Sequence, residues 1–379
     1  MDNLKQPHLK IKKENAQTFI QYIKKKLKGS SILTDKFEVV RQGNFVLFPL
    51  NKEIPDYKTI KTQLVEDLNC KIINIKAKKN LDYTPRSLED ALDGKIPASL
   101  IDLVPKSYDI IGNIAIVELD QFNAHNNVEN IKKKIAKAII AVNHNIETVY
   151  EKGSEIEGKF RLRKLNFIAG RKDPITIHKE NNCAFKLNIQ ETFFSPRLNY
   201  ERERVSTADI ELGECIADLF SGVGPFSIQI AHLNKVKIFA FDVNPKAIKY
   251  LRENITLNKL KGSITPFNTN IKELLKSSDS VGNTLKHTID RIIMNLPSRS
   301  LDFVDVIAHL AKKDGAVIHN YQFCAKPQPI QKAIKNLKKS LNSNDLRLQK
   351  IRQARIVKSY SPKEDMVGID ALIKNIESI

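Results

Sequence analysis

Ala217-Asp218-Leu219-Phe220-Ser221-Gly222-Val223-Gly224-Pro225-Phe226-Ser227 reads as a buried strand that runs into a glycine turn and then opens a helix. Cys215 to Phe220 supplies the short apolar strand, and Gly222 and Gly224 let the backbone turn sharply and approach a ligand closely. Pro225 sits in the first helical turn, where its missing N–H costs nothing, and Phe226, Ile228 and Ile230 carry the apolar pattern onward. A lone Gly-x-Gly also serves as a structural turn. Here a second element supports a ligand: Val236 to Phe241 is another apolar strand, and it ends in Asp242, about twenty residues on, where an open α/β sheet places an acid for ribose hydroxyls.

The loop itself separates two cofactor types. A dinucleotide fingerprint needs Gly-x-Gly-x-x-Gly with backbone N–H groups free for a pyrophosphate. This chain has Gly222-Val223-Gly224-Pro225-Phe226-Ser227, with proline in place of a donor and no third glycine. The pattern favours S-adenosylmethionine, which has no pyrophosphate.

Outward from the loop, strands and helices alternate from Ile210 onward. Strands are expected near 215–220, 236–241, 263–267, 291–296 and 315–321, with Ile248, Leu251 and Ile255 marking one helix face. This is a doubly wound, mostly parallel sheet, an α/β Rossmann-like domain over 206–379. Ala354 to Tyr360 and Met366 to Ile373 close it as an antiparallel hairpin. Upstream lie two small α+β modules. Residues 1–75 hold a helix with Phe19, Ile20, Ile23 and Leu27 on one face, a hairpin of Phe37–Val40 and Phe45–Leu50 around Gln42-Gly43-Asn44, and a last strand at Ile72, Ile73 and Ile75. Residues 76–105, with prolines at 85, 97 and 105, read as a linker with one short helix. Residues 106–205 hold a hairpin over Ile110–Val117, a helix over Val128–Val142 with lysines 132, 133, 134 and 137 facing outward, and strands at Ile175–His178 and Phe185–Ile189.

The 379 residues carry 62 Lys and Arg against 43 Asp and Glu, a formal charge of +19, which is large for an enzyme acting on a small neutral metabolite. A polyanionic partner would account for it; a lysine-rich set of solvated helix faces would too. Arginines at 161, 163, 171, 197, 202 and 204 cluster in sequence and favour nucleic acid, because a guanidinium fork suits phosphate and base edges. Cys70, Cys183, Cys215 and Cys324 have no close spacing, so neither a metal site nor a disulfide framework is expected. No apolar window is long enough to span a bilayer, and the N-terminus has no secretory core. A soluble, cytoplasmic monomer is the expectation.

The fourth strand of the sheet, Arg291-Ile292-Ile293-Met294, ends in Asn295-Leu296-Pro297-Ser298, where an amide and a proline-fixed backbone can face a planar base. Enzymes that methylate exocyclic amines resemble one another in an Asn-Pro-Pro-aromatic version, and this chain lacks the second proline and the aromatic. Just before the cofactor domain stands Phe193-Phe194-Ser195-Pro196-Arg197-Leu198-Asn199-Tyr200-Glu201-Arg202-Glu203-Arg204. With Phe160-Arg161-Leu162-Arg163, Thr176–Asn181, Asp218–Ser227, Asp242-Val243-Asn244-Pro245, Met294–Pro297 and Val357-Lys358-Ser359-Tyr360, the chain resembles the archaeal and eukaryotic tRNA guanine-37 N1-methyltransferase family over nearly its whole length.

The resemblance implies methyl transfer from S-adenosylmethionine to guanine N1 of tRNA. N1 carries a proton at neutral pH, so a base is needed and negative charge develops toward O6. By the resemblance Glu201 is that base, Arg161 donates to O6, and Asn295 and Pro297 frame the guanine. Asp218, Gly222, Gly224, Asp242, Val243, Asn270, Ile271 and Asn295 would line the cofactor, with Arg202 at its methionine end. Arg163, Ser195 and Arg197 would meet the tRNA. Family members usually carry Asp where this chain has Asn270 and Tyr where it has Phe193. The first module resembles the extra N-terminal domain of archaeal members, which docks on the tRNA and reads its shape, so deleting residues 1–75 should weaken tRNA recognition more than cofactor binding. Three alternatives stand beside this reading: a sister family that moves the aminocarboxypropyl group of the same donor, an idle tRNA-binding protein, and a bifunctional enzyme that also methylates a tricyclic guanosine derivative.

Overall fold

A computed structural model of the chain describes residues 5–26, 32–51, 57–68, 70–155 and 157–376. It comprises two compact units, Met1–Arg86 and Ser87–Ile379. The first is a four-stranded antiparallel sheet in the order Val40–Gln42, Phe45–Pro49, Lys5–Lys12, Lys71–Lys76. Helix Ala16–Lys26 belongs to the same unit, and Leu9, Phe19, Ile32 and Leu50 share its core. The expected hairpin turns at Gly43, whose φ is +53°. Leu27, expected on the helix face, lies outside the described residues.

The expected linker over 76–105 takes a different form. Lys78 and Asn80 hydrogen-bond back to Glu38 and Lys36 within the first unit. From Ser87 the chain already belongs to the second, where Ala91, Leu92, Ile96, Leu100 and Val104 pack against Ile131, Ile135 and Ile139 of helix Val128–Val142. Prolines at 97 and 105 bracket a short 3-10 helix, Ala98–Leu103, that buries Leu100, instead of a spacer. Lys132, expected to face outward with its neighbours, is buried and donates to Glu151 at 2.5 Å. The strands Asp109–Ile111, Ile114–Val117, Thr148–Lys152 and Leu165–Gly170 form one sheet, and Ile175–Glu180 with Cys183–Asn188 form a two-stranded ribbon turning at Asn181-Asn182, both at positive φ.

Seven strands build the remaining sheet: β1 (Cys215–Asp218), β2 (Lys237–Asp242), β3 (Ser263–Asn268), β4 (Arg291–Met294), β5 (Ala316–Ala325), β6 (Leu346–Ser359) and β7 (Glu364–Asn375). Their order is β3-β2-β1-β4-β5-β7-β6. The first five are parallel, and β7 runs antiparallel between β5 and β6. The fold is therefore the expected Rossmann-like sheet closed by an antiparallel hairpin. Parallel strands are buried on both faces, and so β4 reads Arg-Ile-Ile-Met with all four residues buried. Strand order reverses between β1 and β4, which opens a crevice at their carboxyl ends.

The turn after β1 is fixed by packing. Gly224 takes a φ of +90°, and a Cβ there would lie 2.3 Å from Leu251 Cδ1 and 3.2 Å from Ile228 Cδ1. Its role is to let helix Pro225–Leu233 sit against helix Pro245–Leu257. Asp218 closes the same joint: it is 1% exposed, and its Oδ2 accepts from Ser227 Oγ at 2.7 Å while Oδ1 has no hydrogen-bond partner. Burial pushes its carboxyl up to about 7 and the nearby Asp242 adds to the shift, against hydrogen bonds from Ser227 and backbone.

Two outcomes follow for stability. Gly224→Ala should cost ~1–3 kcal/mol by overpacking a site that also needs a left-handed backbone, read as a lowered midpoint in denaturant. Because the folded-state pKa of Asp218 is raised to about 7, its contribution is full below the ordinary carboxylate range and is lost as pH rises to about 7. Asp218→Asn, isosteric and uncharged, should therefore flatten the fall in melting temperature between pH 5 and pH 8. An unchanged pH profile would show that Asp218 is already ionised throughout.

Candidate active site

At the carboxyl ends of β1 to β4 lies a cavity of about 660 Å³. The loop after β1 gives it Leu219, Phe220 and Gly222, β2 ends in Asp242 and Val243, the loop after β3 brings Asn270 and Ile271, and the loop after β4 brings Asn295 and Pro297. Four separate strand ends thus converge on one space. The opening at Gly222 is real: its φ is +55°, and an added Cβ would meet only Phe193 O at 3.7 Å. A ligand backbone or ribose can approach closely there. Asp242 has two duties. Its Oδ2 accepts from Gly222 N and its Oδ1 from Asn244 N, each at 2.8 Å, so it braces the glycine loop and is not left idle for the ligand as its position first implied. Burial raises its pKa, opposed by those backbone donors. Asn270 caps the short helix Ile271–Leu275 through Lys272 N at 3.2 Å. A nucleoside fits this donor set, with ribose toward Asp242, a planar ring by Ile271, and an apolar wall behind it.

A second cavity of about 860 Å³ adjoins the first and shares Arg161, Phe193, Lys358 and Tyr360 with it. Arg163, Ser195 and Arg197 line only this second space. The residues expected to hold cofactor and those expected to meet RNA therefore divide between two neighbouring cavities. Arg161 stands at the join, at a φ of +53° that an arginine seldom adopts, and its Nη1 donates to Ser298 Oγ at 2.6 Å, next to Asn295 and Pro297. Burial lowers its pKa, with Tyr360 acting the other way.

Four expected site residues, Asp218, Gly224, Arg202 and Glu201, line neither cavity. Asp218 is sealed behind the loop, and Gly224 lines neither cavity. Arg202 is 1% exposed and forms a two-armed pair with Glu180, Nε to Oε1 at 2.5 Å and Nη2 to Oε2 at 2.7 Å, while it also donates to Ser195 O at 3.1 Å. Four of its five N–H groups are taken by Glu180 and Ser195 O, and the side chain lines neither cavity. The sequence cluster of arginines is likewise no single phosphate patch. Arg171 and Arg197 pair with Asp173 and Asp109, and Arg204 pairs with Asp370 at 2.6 Å.

Glu201 also sits behind the cavity wall, 2% exposed on helix Asn199–Ser206. Its carboxylate accepts from Arg355 Nε at 2.8 Å, Arg204 Nη2 at 3.2 Å and Tyr321 Oη at 3.1 Å. Burial acts to raise its pKa, but Arg355 and Arg204 outweigh it and hold the group below the usual carboxylate range. Asp370 on β7 receives Arg204, Arg355 and His319 Nδ1, the last at 2.8 Å. His319 Nε2 lies 3.0 Å from Arg291 Nη1, which can only donate, so the imidazole is neutral with its proton on Nδ1. Its pKa is lowered by burial and by Arg291, against Asp370. Arg291 in turn pairs with Glu214 at 2.7 Å. Nothing in the sequence pattern pointed to Arg291, His319 or Asp370, each set in a mostly apolar strand, or to Arg355, which is one of several cations along the polar strand β6.

Among the described residues no helix is long and apolar enough to cross a membrane, and no group of three metal-ligating side chains occurs.

Comparison with known proteins gives this geometry a context. Residues 176–375 match the family model of the TRM5/TYW2 methyltransferase domain, and residues 88–173 that of the TYW2 N-terminal domain. The tRNA (guanine(37)-N(1))-methyltransferase Trm5b of Pyrococcus abyssi is 33% identical, over 92% of this chain and 95% of that protein. The solved complex of aTrm5 with tRNALeu superposes with a TM-score of 0.70 at 29% identity, over 97% of this chain and 99% of that one. TYW2 of P. horikoshii in complex with MeSAdo gives 0.62 at 25% identity, over 76% of this chain and 98% of that one. Sheet order, strand-end cavity and sequence agree: this chain belongs to the TRM5/TYW2 methyltransferase family.

Proposed function

We propose that the protein transfers a methyl group from S-adenosylmethionine to N1 of guanosine 37 in tRNA. The observation that carries the reading is the pair of adjoining cavities. One is a nucleoside-shaped space between Gly222, Asp242 and Asn270, and the other is a neighbouring space lined by Arg163 and Arg197, with Arg161, Asn295 and Pro297 close to their shared wall. S-adenosylmethionine supplies an electrophilic methyl group there. The names of the most similar relatives support this acceptor.

The chain's own groups then have distinct tasks. Gly222, Asp242, Val243, Asn270 and Ile271 hold the nucleoside of the donor. Arg161 faces the developing charge on guanine O6, and its partner Ser298 gives way to that oxygen. Asn295 and Pro297 fix the plane of the base. N1 attacks the methyl carbon, the carbon–sulfur bond breaks with its electron pair going to sulfur, and the N1 proton passes to Glu201. That last role requires Arg355 to release the carboxylate when tRNA is bound, because both oxygens are engaged in the structure described above. Ionisation is secured in advance, since Arg355 and Arg204 keep Glu201 charged at neutral pH.

A second reading has one observation in its favour, the match of residues 88–173 to the TYW2 N-terminal domain. It is transfer of the aminocarboxypropyl group to the modified guanosine at the same position. The fuller coverage of this chain by the aTrm5 complex than by TYW2 favours methyl transfer.

Incubating an unmodified tRNA transcript with the protein and S-adenosylmethionine, followed by nucleoside mass spectrometry, should give N1-methylguanosine. No product on the transcript, with an aminocarboxypropyl product on tRNA that already carries the modified guanosine, selects the second reading, and no product on either tRNA removes both. Glu201→Gln should lower kcat by a factor on the order of 10²–10⁴ with donor affinity unchanged. A normal kcat, or a variant that loses donor binding and melting temperature together, would make Glu201 a structural anchor. Removing residues 1–86, the first compact unit, should raise KM for tRNA far more than the Kd for the donor; equal losses would count against a tRNA-reading role for that unit.

A further inference from the structure

Strand β7 presents Met366, Gly368 and Asp370 on one face, in that order, because side chains alternate along a strand. The opposite face sends Val367, Ile369 and Ala371 into the main core of the sheet, whereas Met366 packs in another cluster with Leu198, Val205 and Tyr321. Met366 lines the donor cavity, so the row starts at the site and leads away from it. Gly368 is its bare centre. It pairs with Tyr321 of β5 on one side and Arg355 of β6 on the other, and an added Cβ would lie 3.2 Å from Tyr321 Cε1 and 3.3 Å from Arg355 Nη2. The missing side chain lets the Arg355 guanidinium cross β7 to reach Glu201.

Arg355 meets two carboxylates there. Its Nε and Nη2 serve Glu201, the first at 2.8 Å on Oε1, while Nη1 stands 3.4 Å from Asp370 Oδ2. Arg204 has the reverse arrangement: Nη1 is 2.6 Å from Asp370 Oδ2, and Nη2 is 3.2 Å from Glu201 Oε2. An ionised carboxylate oxygen accepts at two lone pairs. Oδ2 has one short donor and one long one, so it can take Arg355 more closely without losing Arg204. Asp370 itself is fixed, with His319 Nδ1 at 2.8 Å on Oδ1. Burial acts to raise its pKa, and His319, Arg204 and Arg355 outweigh that, so the carboxylate stays charged.

Proton transfer makes a second seat for Arg355 necessary. When Glu201 takes the guanine proton, the N1–H bond breaks, an O–H bond forms and the carboxylate loses its charge. Tyr321 on β5 and Arg204 on the helix itself remain beside it, and neither carries a negative charge. Arg355 would then be a half-buried cation without an anion, unless Asp370 receives it. Before the transfer, Glu201 is charged but a weak base, because burial, which would raise its pKa, is outweighed by Arg355 and Arg204. Withdrawing one cation frees its lone pairs and strengthens it.

We propose that Asp370 is the positioning residue for the base. As the acceptor guanosine enters, Arg355 slides along the bare stretch of β7 from Glu201 to Asp370, away from the cavity, and leaves Glu201 free to turn toward N1. This rests on the reading of Glu201 as the base of a tRNA guanosine methyltransferase.

The test measures single-turnover methylation of an unmodified tRNA transcript against pH for wild type, Asp370→Asn, Arg355→Gln and the double variant, with donor Kd and donor-binding sites counted by calorimetry. In wild type the acidic limb of the rate at saturating enzyme should lie at higher pH than that of kcat/KM, because the free enzyme keeps Arg355 on Glu201 and the complex does not. Asp370→Asn leaves Arg355 without a seat. The saturated rate per donor-binding site should fall roughly 10–100-fold, less than loss of the base itself, and its acidic limb should move to lower pH. In the Arg355→Gln background no cation needs seating, so adding Asp370→Asn should change the rate per site by less than about threefold. Donor Kd should stay within about threefold throughout. A merely structural Asp370 would lower the melting temperature and the number of donor-binding sites, leave the rate per site and both limbs unmoved, and so overturn the proposal. Coincident limbs in wild type, a measurement that requires no variant to fold, overturn it as well. Methylation by Glu201→Gln at the wild-type rate overturns the reading of the base instead.

Discussion

Asp370 is the fixed point of the methyltransferase unit. From β7, the middle of the antiparallel hairpin, it receives Arg355 from β6, His319 from β5 and Arg204 from the helix that precedes the sheet. Through His319 the chain of contacts reaches Arg291 on β4 and then Glu214 before β1. Three carboxylates, Glu201, Glu214 and Asp370, are matched by three guanidinium groups, Arg204, Arg291 and Arg355, with a neutral imidazole between them. Such a cluster adds little net stability compared with an apolar core of equal volume, but breaking one pair strands a buried charge at a cost of about 3–5 kcal/mol. Its effect is on geometry. Helix Asn199–Ser206 and strands β4 to β7 can be assembled in only one relative position without leaving a charge alone, and the loop after β4 and the end of β6, which both reach the cavities, hang from those elements.

The same cluster explains why chemistry-bearing residue types in this chain are poor guides to the reactive surface. Arginines 202, 204, 291 and 355 are all drawn inward, each satisfied by a carboxylate. Arginine suits this duty because its fork engages a carboxylate twice and it is less strongly hydrated than an ammonium. The formal excess of +19 is therefore expressed mostly by other groups. Helix Pro329–Asn342, for instance, buries Ala333, Leu337 and Leu341 and leaves its lysines to the outer side. The field that attracts a polyanion and the guanidinium groups that shape the site are largely separate sets of residues.

The sheet was legible because parallel strands buried on both faces announce themselves as apolar runs, and because Gly222, Gly224 and Asp242 stand where a doubly wound sheet puts its ligand. The first unit was less so. Its central strand, Lys5–Lys12, carries Lys5, His8, Lys10 and Lys12, and His8 is fully buried, so hydropathy hid the strand on which the unit is built. The segment 76–105 misled in the opposite sense: three prolines suggested a spacer, whereas Leu92, Leu100 and Val104 fill a core. At the site, motifs located the elements correctly but could not say which way a side chain leaves a helix. Glu201, Arg202 and Arg204 are consecutive or nearly so, and in the fold their ion partners Arg355, Glu180 and Asp370 lie in three different directions, none of them lining either cavity. Such partners as Asp370 and Glu180 are more than twenty residues distant along the chain, beyond the reach of local spacing.

Separating the two cavities also bears on Phe193 and Asn270, the two positions at which the resemblance led one to expect a tyrosine and an aspartate. Phe193 lies on the shared wall, 39% exposed, and its backbone carbonyl is the nearest neighbour of a Cβ placed at Gly222. Its ring stands at the join, where Arg161 and Tyr360 also line both cavities. Asn270 is on the donor side alone, where it caps Ile271–Leu275 through its side-chain oxygen. That oxygen performs the cap as an aspartate would, but without the negative charge, so the helix terminus keeps its geometry while the cavity loses an anion beside the ring site. The two positions thus differ: Phe193 stands on the shared wall, and Asn270 on one side of it only.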